Sequence, residues 1–390
     1  TRTFMLVYSR FFSNYRIFIQ TRMILFFIVF FFWVAPKTFA IYDPLSVPNN
    51  SFGIHILETT ELEPASKFVN SSGGDWGYVT IPIRANDRDL AKWTKFMEDC
   101  RKFHIIPIIR LASFPVEDRW MAPNQYDLID FANFLDQLPW PTKNRYVIIY
   151  NEPNHKNEWG GFLYPEEYAS ILSQALNTFH QKNEDFYVIS AGFDSSAPNA
   201  PESMNEYDYL QIIDYRQPGI FNKINGFSSH SYGNPGFSSL PNIYSPISVA
   251  NYRFEENFLI ALGAPRLKIF ITEAGWDISK IGQYNAQNFY VRTFGDIWSD
   301  DNIVAITPFV YSAQDGPFEG FSFTDSNGNL KPFAIALQNL PKTAGKPELS
   351  KVPTTKKISQ EINSIPIIHN TSYIILSLWN GLMRLILKNE

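Results

Sequence analysis

Short apolar runs alternate with longer amphipathic ones between residues 41 and 342, and this alternation limits the fold more than any other feature of the chain. The short runs are rich in β-branched and aromatic residues, which is typical of buried strands. The longer runs carry helix-start signals, as at Pro165, which precedes two glutamates. Repeated strand–helix units build parallel sheets covered by helices. The predicted strands are Gly53–Leu57, Trp76–Ile83, Ile105–Leu111, Tyr146–Tyr150, Tyr187–Ala191, Gly226–His230, Lys268–Thr272 and Val304–Tyr311.

The number of these units indicates the fold class. Eight units within about 300 residues favour a (β/α)8 TIM barrel over a doubly wound sheet. No glycine-rich phosphate loop of the doubly wound nucleotide-binding kind is visible in the sequence. We therefore predict one barrel over residues 41–342, with helices that include Asp87–Phe103, Asp127–Leu138, Pro165–Lys182 and Asn285–Ser299.

Two of the predicted strands end in a glutamate. Glu152 follows Tyr146–Tyr150, and Glu273 follows Lys268–Thr272. Barrel enzymes carry their active sites at the carboxyl ends of the strands, so both carboxylates are expected on one face. Hydrolysis of a glycosidic bond requires such a pair, as acid and nucleophile or as acid and base. The alternative is a pair of solvated loop carboxylates.

Polar and aromatic residues near the ends of the other strands are expected to surround the two glutamates. A rim that only connects strands and helices would more typically consist of Gly, Asp and Asn turn formers. Alternatives remain open for several of them. His230 could be a buried histidine whose hydrogen bonds are made within the core, Trp159 and Trp276 could be packing residues, and one of the two arginines could form a structural ion pair. The candidates are Arg84, Arg110, Asn151, His230, Tyr232, Trp276 and Tyr311, together with Trp159 in the loop after strand four, where Glu158 is predicted as a solvated loop charge.

Several of these motifs resemble those of a known group of enzymes. Asn151-Glu152-Pro153 after strand four, combined with Glu273 after strand seven, resembles the clan A retaining glycoside hydrolases, which include many cellulases, mannanases and β-xylosidases. His230-Ser231-Tyr232 resembles the His-x-Tyr of their strand six, and the segment 323–332 resembles the one before their last helix. The resemblance extends over roughly residues 50–340, the span of the predicted barrel.

The resemblance implies a role for each matching residue. Glu152 would be the general acid/base and Glu273 the nucleophile, with Asn151 binding the sugar 2-hydroxyl. Tyr232 could donate a hydrogen bond to Glu273, and Arg84 or Arg110 would further stabilise that carboxylate. One position departs from the family, because Tyr311, with Phe309 nearby, stands where these enzymes often have a tryptophan on strand eight. The expected substrate is an oligo- or polysaccharide with β-glycosidic bonds.

Charge and cysteine content exclude other functions. Residues 1–40 hold five basic residues and no acid, so the remainder has 28 basic against 38 acidic residues, a net charge of −10. An acidic body without a basic stripe argues against nucleic acid as a partner. Cys100 is the only cysteine and the six histidines are scattered, so we predict neither a metal site nor a cofactor.

The two ends of the chain have compositions unlike the body. Met23–Ala35 is an apolar run after three arginines and is followed by Thr38-Phe39-Ala40, so residues 1–40 are predicted as a signal peptide or an uncleaved membrane anchor. Residues 343–372 are predicted as a linker. Residues 373–390 are predicted as an apolar helix that lies on a membrane, packs on a missing partner or folds back onto the body. These features predict a secreted or cell-surface protein, with possible membrane association through the termini.

Two other functions fit the sequence. A catalytically silent barrel that binds glycans at a cell surface would show the same residues, including both glutamates. A membrane-associated structural or interaction protein would account for the two apolar ends, and it would not depend on Glu152 or Glu273.

Overall fold

The computed structural model describes residues 41–313 and 316–351, and the barrel lies in the unit that begins at Pro44. Eight parallel strands form one sheet in which strands consecutive along the barrel are hydrogen-bonded neighbours. A parallel bridge between Phe52 and Ile306 joins the two edges, so the sheet closes into a (β/α)8 barrel. The strands are β1 (Gly53–His55), β2 (Gly77–Arg84), β3 (Ile105–Ala112), β4 (Arg145–Ile148), β5 (Phe186–Ile189), β6 (Gly226–Tyr232), β7 (Lys268–Gly275) and β8 (Ile303–Ile306).

A helix follows each strand and covers the outer surface of the barrel. A two-residue hairpin, Pro115–Val116 with Arg119–Trp120, is inserted after β3, and a π-helical turn, Thr293–Ile297, extends the helix after β7. The helices are α1 (Leu62–Val69), α2 (Leu90–Lys102), α3 (Gln125–Asp136), α4 (Pro165–Lys182), α5 (Glu206–Arg216), α6 (Asn251–Ala261), α7 (Ile278–Arg292) and α8 (Pro332–Gln338).

The predicted fold class and all eight predicted strands are confirmed, with different bounds. β8 ends at Ile306 rather than Tyr311, because Pro308 has no backbone N–H for the ladder. α7 begins at Ile278 rather than Asn285, because the Asp277 carboxylate accepts from the Ser279 N–H and caps a first turn, which a kink at Gly282 (φ 77°) separates from the rest of the helix. α4 has the predicted bounds.

Aromatic rings fill the interior of the barrel below the carboxyl ends of the strands. Tyr78, Tyr146, Tyr187 and Phe270 point inward from four strands, with ring centroids 5.0–6.1 Å apart. Edge and tilted contacts of this kind are favourable between aromatic rings. The layer makes the barrel a packed core rather than a pore, so a ligand site is expected at the mouth rather than inside the barrel.

The first residues after the predicted barrel lie against its amino-terminal side. The Gly345 N–H donates to the Asp75 carbonyl at 2.9 Å, and the Lys143 N–H donates to the Glu348 carbonyl at 2.8 Å. The segments predicted as signal peptide or anchor (1–40) and apolar helix (373–390), like most of the predicted linker, lie outside the described residues. Among the described helices, none has the length and apolar character that a membrane span requires.

Candidate active site

An unusual turn after β4 brings Glu152 to the barrel mouth. Tyr150 and Glu152 have φ values of 66° and 34°, a region that residues with a Cβ rarely adopt. The Glu152 N–H donates to the Gly192 carbonyl at 3.0 Å, which fixes the turn against the end of β5. A Cβ at Gly192 would lie 2.2 Å from the His230 ring, so glycine permits Glu152 and His230 to approach each other.

A register shift between β6 and β7 brings the second group of residues together. The shift occurs between Ser229 and His230, after which His230 is the strand partner of Glu273. Such irregularities change the direction in which side chains point at the rims of barrels. Glu273 therefore lies inside β7, with the side chains of His230 and Tyr232 beside it, and only 7% of its surface is exposed.

The two glutamates face each other across one site. Carboxylate oxygens of Glu152 and Glu273 and a ring nitrogen of His230 all lie within 4.8 Å of one another. Carboxyl groups about 5–5.5 Å apart are typical of retaining glycosidases, whereas inverting enzymes hold them about 6.5–9.5 Å apart. The spacing therefore fits the retaining geometry.

Hydrogen bonds fix both carboxylates. His230 Nδ1 lies 2.7 Å from Glu152 Oε1, and the Tyr232 hydroxyl donates to Glu273 Oε2 at 2.8 Å. Arg110 Nη1 donates to Glu273 Oε1 and to Asn151 Oδ1, each at 2.5 Å. Arg110 is therefore the arginine that stabilises Glu273. Arg84 is exposed and lines a separate pocket with Glu58 and Asp87.

The environment keeps Glu273 ionised. Burial would raise the pKa of this carboxyl, but the charges of His230 and Arg110 outweigh burial and, with the Tyr232 hydrogen bond, lower the pKa to about 2. Burial would likewise lower the pKa of His230, but the charges of Glu273 and Glu152 outweigh it and raise that pKa. Glu273 is thus a carboxylate near neutral pH, which a nucleophile must be.

His55, at the end of β1, belongs to the site although the sequence did not single it out. Its side chain is fully buried, with Nδ1 3.9 Å from Glu273 Oε1 and its ring edge-on to Phe309 at 5.1 Å. Burial, followed by the charge of Arg110, lowers the pKa of His55 to about 3, so the ring is neutral. The sequence signal for His55 is a polar residue near the end of a strand, the same signal that identifies the candidates on the other strands.

Glu158 was predicted as a solvated loop charge, and this prediction is wrong. The 3-10 turn Lys156–Glu158 folds back toward the mouth, where Glu158 is half-buried near Asn151 and Glu152. Burial, followed by the charge of Glu152, raises its pKa to about 7. The site therefore holds a third carboxyl that changes charge near neutral pH.

Both tryptophans predicted to contact sugar are buried in the protein core. Trp159 packs edge-on against Tyr150 and Tyr168, and its Nε1 donates to Glu167 at 2.9 Å. Trp276 donates from Nε1 to the Ser239 carbonyl at 2.7 Å. Neither indole has any exposed surface, so neither can stack on a substrate. The packing alternative is correct for both.

Tyr311 does not take the predicted position beside the nucleophile. It packs in the main hydrophobic core, and burial followed by the charge of Glu61 raises the pKa of its hydroxyl. Phe309 instead lies in a small cluster with Tyr232 and Phe321 and contacts the His55 ring. The aromatic residue after β8 that borders the site is therefore Phe309.

Glu152, His230 and Glu273 also have the spacing of a metal-ligand set within the described part of the chain. Their atoms are already occupied, since Arg110 contacts Glu273 and His230 contacts Glu152. A cation placed among them would face the positive charge of Arg110 at short range. The arrangement fits proton transfer and nucleophilic attack better than metal binding.

Comparisons with known proteins rest on structure, because no protein-family profile and no curated protein sequence matches the chain. A β-xylosidase from Caulobacter crescentus CB15 has a TM-score of 0.52 and 14% identity over 75% of this chain and 68% of its own. A family 39 glycoside hydrolase from Bacteroides cellulosilyticus WH2 gives 0.50 and 16% over 78% and 66%, about two thirds of its length. GH5_18 from Streptomyces cattleya, in complex with GlcNAc, gives 0.51 and 13% over 75% and 79%. These neighbours are glycoside hydrolases, as the sequence resemblance predicted, and they share the barrel fold with this chain.

Proposed function

We propose that the protein is a retaining glycoside hydrolase that cleaves β-glycosidic bonds by double displacement. The observation that carries the proposal is the pair Glu152 and Glu273, whose oxygens lie within 4.8 Å and whose surroundings differ. Arg110 and Tyr232 bind Glu273, whereas Glu152 has a titratable partner in His230. Two carboxyls with distinct environments can serve as ionised nucleophile and proton donor at the same pH.

In the first step, a Glu273 oxygen attacks the anomeric carbon of the sugar. The bond from that carbon to the leaving oxygen breaks, and Glu152 donates a proton to this oxygen. The product is a covalent glycosyl ester on Glu273, together with a free alcohol or shortened glycan. Asn151, whose carbonyl is held by Arg110, would present its amide group to the sugar 2-hydroxyl.

In the second step, water hydrolyses the ester. Glu152, now deprotonated, accepts a proton from water, the hydroxyl bonds to the anomeric carbon, and Glu273 leaves as a carboxylate. Two inversions give net retention of configuration. The side chain of Glu152 is 22% exposed against 10% for Glu273, which is consistent with the water and the leaving group reaching it from the open side of the site.

The test is a screen of aryl β-glycosides and β-linked polysaccharides with wild type and Glu273→Ala. We expect Glu273→Ala to abolish turnover, and azide to restore it with a glycosyl azide of inverted configuration. Glu98→Ala, which removes an exposed glutamate on α2, is the matched control and should leave activity unchanged. Undiminished activity in Glu273→Ala would refute the proposal. Glycan binding without turnover would instead support the silent glycan-binding barrel.

We also propose that the enzyme acts outside the cell or at its surface. The basic and apolar composition of residues 1–40 supports this, since it is typical of export signals and anchors. Fractionation of expressing cells should recover the protein in the medium or in the surface fraction. Recovery in the cytosol alone would contradict the proposal.

A further inference from the structure

A pocket of about 280 Å³ opens at the barrel mouth and takes part in none of the proposed steps. Its walls come from the loop after β1, from the end of β2 and the turn that follows it, and from the start of α2. Pockets that hold drug-sized ligands have volumes of about 300–1,000 Å³. This smaller pocket therefore suits a single sugar ring better than an oligosaccharide.

The order of the strands places the pocket beside the nucleophile. Side chains alternate along a strand, so Pro82 and Arg84 lie on the face of β2 that contributes an aromatic ring to the barrel interior. β1 and β3 flank β2 in the sheet, and Arg110 of β3 is the register partner of Pro82. Each flanking strand supplies a neighbour of Glu273, namely His55 from β1 and Arg110 from β3. The pocket and the site of Glu273 are therefore adjacent on one rim.

Leu57 connects the pocket to the aromatic residues around the site. It packs against the cluster that contains Phe309 and Tyr232, and the Tyr232 hydroxyl donates to Glu273. Glu152 projects from the end of β4, two strands away from β2. Because Glu152 is the proposed proton donor to the leaving oxygen, the leaving group lies toward β4. The pocket then lies on the side of the sugar that becomes bound to Glu273.

The charged side chains of the pocket include one cation that is free to bind a ligand. The Lys92 ammonium group is paired with the Asp87 carboxylate at 2.7 Å. Within the described part of the chain, the Arg84 guanidinium has neither a hydrogen bond nor an ion pair, although Glu58 lines the same pocket. An arginine and a glutamate that share a pocket without pairing leave space between them for a polar ligand.

The backbone around Arg84 is held in place without a ligand. Arg88 Nη1 donates to the carbonyls of Arg84 and Asp87, each at 2.9 Å, and Arg88 Nε donates to Asp130 at 2.7 Å. A site whose backbone is fixed in advance loses less entropy when a ligand binds. The turn between β2 and α2 is therefore suited to binding rather than to connection alone.

The lining has the mixed character that a sugar ring requires. Hydroxyl groups both donate and accept hydrogen bonds, whereas Arg84 only donates, Glu58 only accepts and the amide of Asn86 does both. Leu57 and Pro82 supply apolar surface for the C–H groups of the ring. The two cations and two carboxylates of the pocket have no net charge, which favours a neutral sugar over an acidic one.

We propose that this pocket is a second sugar site, which binds the neutral sugar next to the one at Glu273, on the side away from the leaving group, with Arg84 as its main hydrogen-bond donor. The place of this sugar relative to the cleaved bond rests on the proposed function, whereas sugar binding at Arg84 does not. The enzyme therefore acts on glycans with at least two sugars on that side, and it does not remove single terminal sugars.

The first test compares aryl glycosides that carry one or two sugars. The substrates are the 4-nitrophenyl β-glycosides of glucose, xylose and mannose, and those of cellobiose, xylobiose and mannobiose. For the sugar that is cleaved, we expect kcat/KM to be about tenfold higher or more with the disaccharide, and Arg84→Met to lower this ratio about tenfold, because a hydrogen bond from a charged group is lost. A wild-type ratio of one or less would overturn the proposal.

The ratio separates sugar binding from a general defect of the variant. A structural disturbance of the mouth would slow both substrates equally, so an unchanged ratio in Arg84→Met would also overturn the proposal. Lys223→Met is the matched control, since it removes an exposed cation just before the amino end of β6. We expect this control to keep the wild-type ratio.

The second test measures binding without turnover. Calorimetric titration of the wild type with free cellobiose, xylobiose and mannobiose should detect binding of at least one disaccharide, and Arg84→Met should weaken it about tenfold. Failure of all three to bind, or equal affinity in the two proteins, would overturn the proposal. A protein that cleaves no glycoside but binds a disaccharide through Arg84 would contradict the proposed function and leave the second sugar site supported.

Discussion

The Tyr232 hydroxyl offers the most direct test of how Glu273 is kept ionised. Tyr232→Phe removes one hydrogen bond of 2.8 Å to Glu273 Oε2 and retains the ring, which packs against Phe237 and Phe321. A hydrogen bond to a charged group contributes about 1.5–3 kcal/mol, and each pKa unit corresponds to about 1.4 kcal/mol. Because Arg110 and His230 remain in place, we take the lower end and expect the pKa of Glu273 to rise by about 1 unit.

NMR titration of 13C-labelled glutamate measures this pKa directly. The carboxyl of Glu273 should titrate at about 2 in wild type and about one unit higher in Tyr232→Phe. The pKa is below its ordinary value, so the stability that it contributes is fully present above pH 4.5 and is lost as the pH falls toward 2. In the variant this contribution is smaller, and the pH window over which it is lost is narrower.

The same shift should appear in the activity of the enzyme. The acidic limb of kcat/KM should move to higher pH by the same amount, whereas ionisation of Glu273 at pH 7 should stay complete in both proteins. A pKa of Glu273 that is unchanged or lower in the folded variant would refute the reasoning. It would mean that the neighbouring positive charges alone determine its protonation.

Three further predictions follow from the same contacts. Arg110→Met leaves Glu273 without its closest cation and should lower the free energy of unfolding by about 3 kcal/mol, measured by denaturant titration at pH 7; an unchanged stability would contradict the ion pair. Glu158→Gln should abolish a carboxyl titration near pH 7 in the NMR spectrum and remove the accompanying decrease in stability as the pH rises from 4.5 to 7. If the same titration persists in the variant, it belongs to a carboxyl other than Glu158. Trp159→Phe should lower the free energy of unfolding by about 1–3 kcal/mol, because it leaves a cavity and removes the hydrogen bond to Glu167, and KM should be unchanged. An increased KM in a stable variant would indicate that Trp159 stacks on the substrate.

The residues whose place at the barrel mouth the sequence predicted are those whose position follows from strand periodicity. Glu152 and Glu273 each follow a short apolar run, and parallel strands of a barrel bring their carboxyl ends to one rim. His230 and Tyr232 share a face of β6 because side chains alternate along a strand, which also explains why both approach the glutamates. Periodicity therefore sufficed for the fold and for the placement of these four residues at the mouth.

The incorrect predictions concern side chains whose direction depends on loops and on packing. Trp159 and Trp276 follow strand ends, where a tryptophan has the same sequence signature whether it faces a cleft or the core. Glu158 approaches Asn151 only because a 3-10 turn reverses the loop, and no period in the sequence encodes that turn. The choice between Arg84 and Arg110 likewise depended on side-chain direction at the rim, which pattern alone does not give.

The charges around the two glutamates also explain how one carboxyl could act first as acid and then as base. In the resting site the negative charge of Glu273 is bound by Arg110 and lies close to Glu152. Formation of the glycosyl ester removes that charge, whereas Arg110 keeps its own. Arg110 then lacks its carboxylate partner at the step where a base is required. A neutral residue in place of Arg110 should therefore slow hydrolysis of the intermediate as well as its formation, which pre-steady-state kinetics with an activated aryl glycoside can separate.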